Sequence, residues 1–324
     1  GGGIANFYDS RVDVLKSTIE GNSAQYGGGF LNFYGQWTIV NSTLSGNTAV
    51  APSAAANSAG GAISNSSNST AYQQDASLIL STVTGNSSDG AGGGIYNRSA
   101  SLFIGGSIVS GNTADVGNEL YHYDGATGSI VSFSSIVGDN SETTEEALYN
   151  NAPDSSSLVL TSDSPLPTAL ADILNTALAN NGGLTETHAL VTNSPAIDFV
   201  SSVSCVTGTP YGDLDVDQRS LPRNINILGT GSDTTYLCDA GAYELQLSSA
   251  FFCPEAPNVG FRLTSAIGTG QGDKTKGFRT RKLVVPNPSE VDSLYGQLAA
   301  VDVGVMKYVR FRYPNGTHEQ IYSP

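Results

Sequence analysis

Asp213, Asp215 and Asp217, three carboxylates at alternate positions, are the clearest offer of chemistry in this chain, because clustered oxygen ligands on a short loop are what a calcium ion takes. An EF-hand is excluded, since Gln218 and Asn224 stand where that loop needs Gly at its sixth position and Glu at its twelfth. A looser calcium site on the same three residues stands beside a plainer expectation, in which Asp217 pairs with Arg219 or Arg223 and the other two are solvated. His122, His188 and His318 are far apart in sequence, and a structural hydrogen bond is the expected role of His188. Cys205, Cys238 and Cys253 show no Cys-x-x-Cys metal spacing; an oxidising compartment would allow one disulfide and leave one thiol.

Polysaccharide cleavage would need two or three carboxylates converging on one face, or calcium carboxylates beside a basic residue. Asp9, Asp13, Glu20, Asp75, Asp89 and Asp115 do not recur at equivalent positions, and Arg11, Lys16 and Arg98 are the only basic residues before Arg219. The expectation is therefore a non-enzymatic chain, with no catalytic residues and no cofactor beyond calcium. The alternative is a carbohydrate-active protein. Trp37, Tyr34, Tyr72 and Tyr96 could form a sugar-stacking platform, although Trp37 fits an interior position better.

Any such residues must be positioned by a repeat. A Gly-Gly-x-apolar-x-Asn hexad occurs as Gly1 to Asn6, Gly27 to Asn32, Gly60 to Asn65 and Gly92 to Asn97. An apolar-x-Gly-Asn signature follows each, at Ile19 to Asn22, Leu44 to Asn47, Val83 to Asn86 and Val109 to Asn112, with a degenerate copy from Ile136 to Asp139. Successive Gly-Asn corners lie 25, 39 and 26 residues apart, a solenoid period. Within each copy apolar residues alternate, and Gly and Asn at fixed offsets tolerate the left-handed backbone of a sharp corner. Short strands winding once per repeat make a parallel β-helix, in which equivalent residues ~4.8 Å apart form ladders. Val14, Ile39, Leu78, Ile104 and Val131 are expected to form an interior ladder, and Asn6, Asn32, Asn65 and Asn97 an amide ladder at a corner. Polar insertions at 50–59 and 66–75 should leave the coil as loops, where recognition could sit.

Downstream, Ser141 to Pro167 reads as a linker or an eroded coil, and 168–180 has the apolar spacing of a helix that could cover the open end of the stack. Residues 181–245 carry the most specific sequence: Asn181-Gly182-Gly183, Thr187-His188-Ala189-Leu190, Ser194-Pro195-Ala196-Ile197-Asp198, Asp217-Gln218-Arg219, Pro222-Arg223 and Cys238-Asp239-Ala240-Gly241-Ala242-Tyr243-Glu244. This block resembles the module that follows the β-helix in bacterial choice-of-anchor Q domain proteins, and the hexads resemble polymorphic outer membrane protein repeats. Ser220 departs from that pattern, where Gly is usual. The resemblance implies a secreted, surface-associated, right-handed β-helix with variable C-terminal anchoring, and supplies no catalytic activity. It also implies that Cys205 pairs with Cys238, leaving Cys253; Cys238 with Cys253 is the competing pair.

Charged residues make up 13% of the 324, against ~25% in typical soluble domains, with Ser, Thr, Asn and Gly in their place. The net charge of −15 is uneven: 246–324 hold nine of the 14 basic and six of the 29 acidic residues. An acidic solenoid argues against nucleic acid as a partner. No run of 18 apolar residues is present, so no membrane-spanning helix is expected. The chain starts inside a repeat without Met and reads as a fragment or processed form. In 246–324, strands are expected at 282–285, 306–313 and 317–322, the last two flanking Pro314-Asn315-Gly316, with a helix starting at Asn287 whose face includes Val291, Leu294 and Leu298.

The sequence thus reads as an all-β chain: a right-handed parallel β-helix solenoid with a C-terminal cap and a small α+β C-terminal piece. Its parts are the coils (1–140), a linker with a capping helix (141–180), the choice-of-anchor Q-like module (181–245) and the C-terminal region (246–324). The expected role is an adhesin or structural scaffold at the bacterial cell envelope or outer membrane. Its expected partners are surface or matrix polysaccharide or protein, or further copies of itself.

Overall fold

The computed structural model describes residues 1–50, 59–66, 76–98, 101–123, 128–201, 214–223 and 237–246, with five short strands beyond. The chain divides into two units, Gly1–Gln246 and Leu247–Pro324.

In the first unit the chain repeats one order of short strands. The first coil runs β1 (Ile4–Phe7), β2 (Arg11–Leu15), β3 (Thr18–Glu20) and β4 (Ser23–Ala24); the second runs β5 (Phe30–Phe33), β6 (Gln36–Val40), β7 (Thr43–Ser45) and β8 (Thr48–Ala49). The third comprises β9 (Ile63–Ser66), β10 (Ala76–Ile79), β11 (Thr82–Thr84) and β12 (Ser87–Ser88). The fourth holds β13 (Ile95–Arg98), β14 (Leu102–Gly105) and β15 (Ile108–Val109), and the fifth β16 (Leu120–His122), β17 (Ile130–Phe133) and β18 (Ile136–Val137). Equivalent strands pair in parallel from coil to coil and build three long walls, so the unit is a parallel β-helix solenoid. Residues 141–167 contain a sixth, eroded coil: α1 (Thr144–Ala147) leads into β19 (Leu148–Tyr149), which pairs with β16, and β20 (Leu158–Val159) pairs with β18. A capping box between Thr143 and Glu146 starts α1.

Alternation along each strand turns one set of side chains inward, and register stacks like on like. Val14, Ile39, Leu78 and Ile104 form the expected interior ladder, and Trp37, Ala76 and Leu102 form a second. Val131 is not its fifth rung: Ile104 pairs with Ser132, and Val131 is 49% exposed on the outer face. The displacement arises at the next corner, where Val137 lies opposite Val109 yet Gly138 follows it at once, one residue short of the earlier copies. Counting back from Gly138-Asp139 therefore lands one residue off, and period two turns that into the opposite face.

Polar ladders run through the same interior. Asn6 donates to Asn32 (2.8 Å), Asn32 to Asn65 (2.9 Å) and Asn65 to Asn97 (2.7 Å), amide to amide, and the Trp37 indole N–H also reaches Asn65 (3.0 Å). A second amide ladder joins Asn22, Asn47, Asn86 and Asn112 at the Gly-Asn corners, each oxygen accepting from the side chain and the backbone N–H of the preceding rung. A third, of serines, is not evident in the repeat signatures. The N–H of Ser17 donates to Ser42 Oγ, and the pattern continues through Ser81, Ser107, Ser135 and Ser157 at 3.1–3.2 Å. The residue before each of the first five serines is left-handed (Lys16, Asn41, Leu80, Gly106, Ser134), and only one of these is glycine, which hides the corner from a glycine count.

The hexad's third glycine has a packing reason. A Cβ on Gly29 would lie 3.0 Å from the Ala62 carbonyl oxygen and 3.1 Å from the Asn47 side chain; on Gly94 it would lie 2.6 Å from the Glu119 carbonyl oxygen and 3.1 Å from the Asn112 side chain. Close approach to the corner ladder thus favours glycine.

The helix expected over 168–180 is a single turn, α2 (Leu170–Ile173). Its N-cap, Ala169, supplies no side-chain bond, and past the turn the chain runs extended, with Leu174 bridging Leu190 and Ala179 bridging Thr187. β21 (Val200–Ser201) then pairs antiparallel with β22 (Leu237–Cys238). In the second unit, β23 (Arg262–Leu263) pairs with β24 (Leu283–Val284), and β25 (Gln297–Ala300), β26 (Val309–Arg312) and β27 (His318–Ile321) form an antiparallel sheet. The strands expected around Pro314-Asn315-Gly316 are β26 and β27. Leu298, expected on a helix face, lies in β25; the helix start at Asn287 lies outside the described residues.

Asn86→Ala would leave the N–H and amide of Asn47 without their acceptor. With ~1–3 kcal/mol for each buried unsatisfied group, urea unfolding should show a loss of about 2–5 kcal/mol. Val131→Thr, on the exposed face, should stay within about 0.5 kcal/mol.

Candidate functional site

Parts of the outer faces of two walls are covered by the chain that follows the coils. Val40, Ile79, Ile108 and Ile136 point out of the coils and are buried against Ile173, Leu174, Leu190, Ile197, Val200 and Leu214 of the following segment. The polar residues of the sequence block are arranged along this second core, and the coils position them.

Thr18, Thr43 and Thr82 stand in register on the third wall. Gln218 reads the first two: its Oε1 accepts from Thr43 Oγ1 (2.7 Å), and its Nε2 donates to Thr18 Oγ1 (2.9 Å), Thr185 Oγ1 (2.9 Å) and the Glu186 carbonyl (3.0 Å). The Ala242 N–H donates to the third, Thr82 Oγ1 (3.0 Å). Gly241, at φ 92°, lets the chain approach that closely, since a Cβ there would lie 2.8 Å from Thr82 Oγ1 and 2.9 Å from the Ile108 side chain.

Two arginines are buried beside this seam. Arg219 forms a forked pair with Asp217 (2.8 and 2.6 Å), donates to the carbonyls of Asn181 and Glu244, and stacks 3.6 Å from the centre of the Tyr243 ring. Arg223 binds Glu244 (3.1 Å), the carbonyls of Asp239 and Gly241, and Asn41 Oδ1 (2.8 Å) at a coil corner. Asn41 in turn donates to the Val216 carbonyl (2.9 Å). Of the two pairings expected for Asp217, the structure makes the one with Arg219. A buried ion pair with its remaining hydrogen bonds supplied fixes orientation, and removing one partner would leave an uncompensated charge. Burial also lifts the Asp239 carboxyl to about 6, against the opposing pull of the Leu245 and Asp198 N–H groups and of Arg223.

Asp217, one of the three carboxylates expected to hold calcium, is fully engaged within the protein. Its Oδ1 accepts the N–H groups of Arg219 and Leu221, and its Oδ2 accepts Nε and Nη2 of Arg219 and the N–H of Glu244, five donors in all. Asp215 is exposed, whereas Asp217 is buried; Asp213 lies outside the described residues. Among the described residues no group of three His, Cys, Asp or Glu side chains is arranged to hold a metal.

His188 is buried with both nitrogens engaged. Nδ1 faces the Asn175 carbonyl (2.9 Å) and must donate, which leaves Nε2 to accept from Ser45 Oγ on the coil (2.9 Å). His122 contacts the amide of Asn97 at the end of the first Asn ladder, and the side chain of His318 lies outside the described residues. Ser220 adopts φ 65° and donates its N–H to the Asp217 carbonyl (2.9 Å). Cys238 is buried and disulfide-bonded; Cys205 and Cys253 lie outside the described residues.

The carboxylates weighed for polysaccharide chemistry are dispersed: Asp9, Asp13, Glu20, Asp89 and Asp115 are exposed, and Asp75 lies outside the described residues. Of the aromatic set, Trp37 and Tyr96 are fully buried and Tyr72 lies outside the described residues. Tyr34 instead joins a corner cluster absent from the sequence reading. It stacks on Tyr8 (centroids 5.6 Å, planes at 5°), with Phe33 edge-on to both, and Tyr8 is 65% exposed. Two buried carboxyls, Glu119 and Glu142, were also missed. The signal for Glu119 was present, since Gly117-Asn118-Glu119-Leu120 replaces the Gly-Gly-x-apolar start of a hexad. Comparison with family models, curated proteins and solved structures gives no match to this chain.

Burial holds the His188 imidazole below its ordinary value, against the opposing pull of the Asn175 carbonyl. Its contribution is therefore present above the unfolded value near 6.5 and is lost as pH falls below it. Against a His188→Gln variant, which keeps an acceptor for Ser45 and a donor for Asn175, the wild type should lose additional melting temperature between pH 7 and 5.

Proposed function

We propose that this chain is a secreted or cell-surface β-helix protein that acts as an adhesin or structural scaffold without chemical turnover. One observation carries the reading: the block's polar residues clamp one segment across three successive coils. Gln218, Arg219, Arg223, His188 and Glu244 all have partners in that clamp. The low charge content and the Ser, Thr and Asn ladders suit a rigid, outward-facing stack. The resemblance to choice-of-anchor Q proteins and outer membrane repeats supports placement at the bacterial envelope. A disulfide at Cys238 suits an oxidising compartment, with Cys205 as the proposed partner; non-reducing peptide mapping should recover the 205–238 peptide pair, and a 238–253 pair would overturn the assignment.

The Tyr8 and Tyr34 corner favours polysaccharide as the partner, because an exposed, stacked ring offers the apolar face that sugars take. The test is binding of the purified chain to immobilised glycans and matrix polymers, with a product assay on every polymer retained. Retention without released oligosaccharide is expected. Tyr8→Ala should weaken retention at least severalfold if the corner is the platform, and trimming 50–59 and 66–75 should do so if the loops are. Release of oligosaccharide would refute the non-enzymatic reading.

A further inference from the structure

The corner ladder of Asn22, Asn47, Asn86 and Asn112 needs a next rung, and the fifth coil supplies no Asn. Its Gly-Asn corner is one residue short, and Asp139 turns back to accept the N–H of Ser141. Glu119 fills the place from the start of the next hexad. It stands where earlier hexads carry Gly29 or Gly94, and its carboxyl accepts the Asn112 N–H (3.0 Å) and the Asn112 amide (2.5 Å), as Asn112 does for Asn86. The missing corner residue and the added side chain compensate each other.

An amide passes the ladder on because it both accepts and donates. A carboxylate only accepts. Beyond Glu119 lies Glu142, 6% exposed, whose Oε2 accepts from Asn118 (2.7 Å) and whose Oε1 is buried with no N–H or O–H donor. Both carboxyls lie at one corner, Glu119 on Asn112 and Glu142 with Oε1 3.3 Å from where a Cβ on Gly138 would stand, and a proton held between them avoids burying two negative charges side by side. We propose that Glu119 and Glu142 form a proton-sharing pair that completes the corner ladder. Loss of that proton to solvent at rising pH opens the C-terminal end of the coil stack.

Among the described residues the surroundings give the pair no counter-charge. Asp139 adds its negative charge at the same corner; Glu145 and Glu146 of α1 and Asp163 after β20 are exposed, with Glu146 bonded to Thr143 and Asp163 to Thr144. Among the described residues no lysine, arginine or histidine hydrogen-bonds either carboxyl. Burial, the first cause, pushes Glu142 up to about 7 and Glu119 well above the carboxylate range; Glu142 lifts Glu119 further, and Asp139 lifts Glu142. Both groups are raised over their unfolded values near 4.5, so their contribution is complete below that pH and declines through 7 and beyond.

Hydrogen exchange of the intact chain reads this directly. The Asn112 amide, bonded to Glu119, should lose protection by up to about tenfold per pH unit from 5 to 7 after correction for intrinsic exchange. The Asn86 amide, bonded to Asn112, should lose less. In Glu119→Gln, whose amide donates to Glu142 without titrating, the two should run parallel. Parallel behaviour in the wild type would overturn the proposal. So would carbon-13 spectra of the glutamate-labelled wild type in which every carboxyl is ionised at pH 6, a test that needs no variant.

Discussion

Everything in the first unit depends on one constraint: a polar side chain inside a coil must find its hydrogen-bond partner in the next coil. The interior is too close-packed for water to serve, and an unpaired amide there would cost as much as several methylenes gain. Stacking identical residues solves this, because an Asn accepts on one side and donates on the other. Register follows, since a slip of one residue would break every rung of the amide and serine ladders together. The apolar ladders of Ile39, Leu78 and Ile104 supply attraction but discriminate register less sharply.

The segment after the coils obeys the same constraint on the outside. Outward threonines on the third wall would ordinarily be hydrated, and Val40 and Ile79 beside them would be an exposed apolar patch. One segment covers both, with aliphatic residues over the patch and Gln218 and the Ala242 N–H over the threonines. The buried arginines explain why the block is so specific in sequence. Each guanidinium must be met by several acceptors at fixed angles, and backbone carbonyls of Asn181, Asp239, Gly241 and Glu244 supply four of them. Changing any of these residues moves a carbonyl as well as a side chain.

Periodic features were legible in the sequence because they repeat. Four hexads and four Gly-Asn corners gave the coil, the Asn ladder and the first four rungs of the interior ladder. What was not legible breaks the period or uses side chains of mixed type. Val131 was placed inside because its corner lacks one residue, a change invisible without the pairing of Val137 with Val109. The serine ladder escaped notice because its left-handed residue is Lys, Asn, Leu, Gly or Ser. The helix over 168–180 stops after one turn because apolar spacing alone does not start a helix, and Ala169 offers no side-chain cap. At the site, the block was visible as unusual, but its role was not: the coil partners of Gln218, Thr43 and Thr18, lie 175 and 200 residues away in the chain. Glu119 was readable only as a flawed hexad.

The hydrogen bonds between coils all point along the stack, so a pull along that axis would load them in tension, a few at a time, and peel coils singly. Gln218 and Ala242 lie across that direction. By holding Thr18, Thr43 and Thr82 of three successive coils at once, their segment acts as a splint, and the same pull must shear its contacts together before the first three coils can part. A stack under such a pull would yield first where this splint ends.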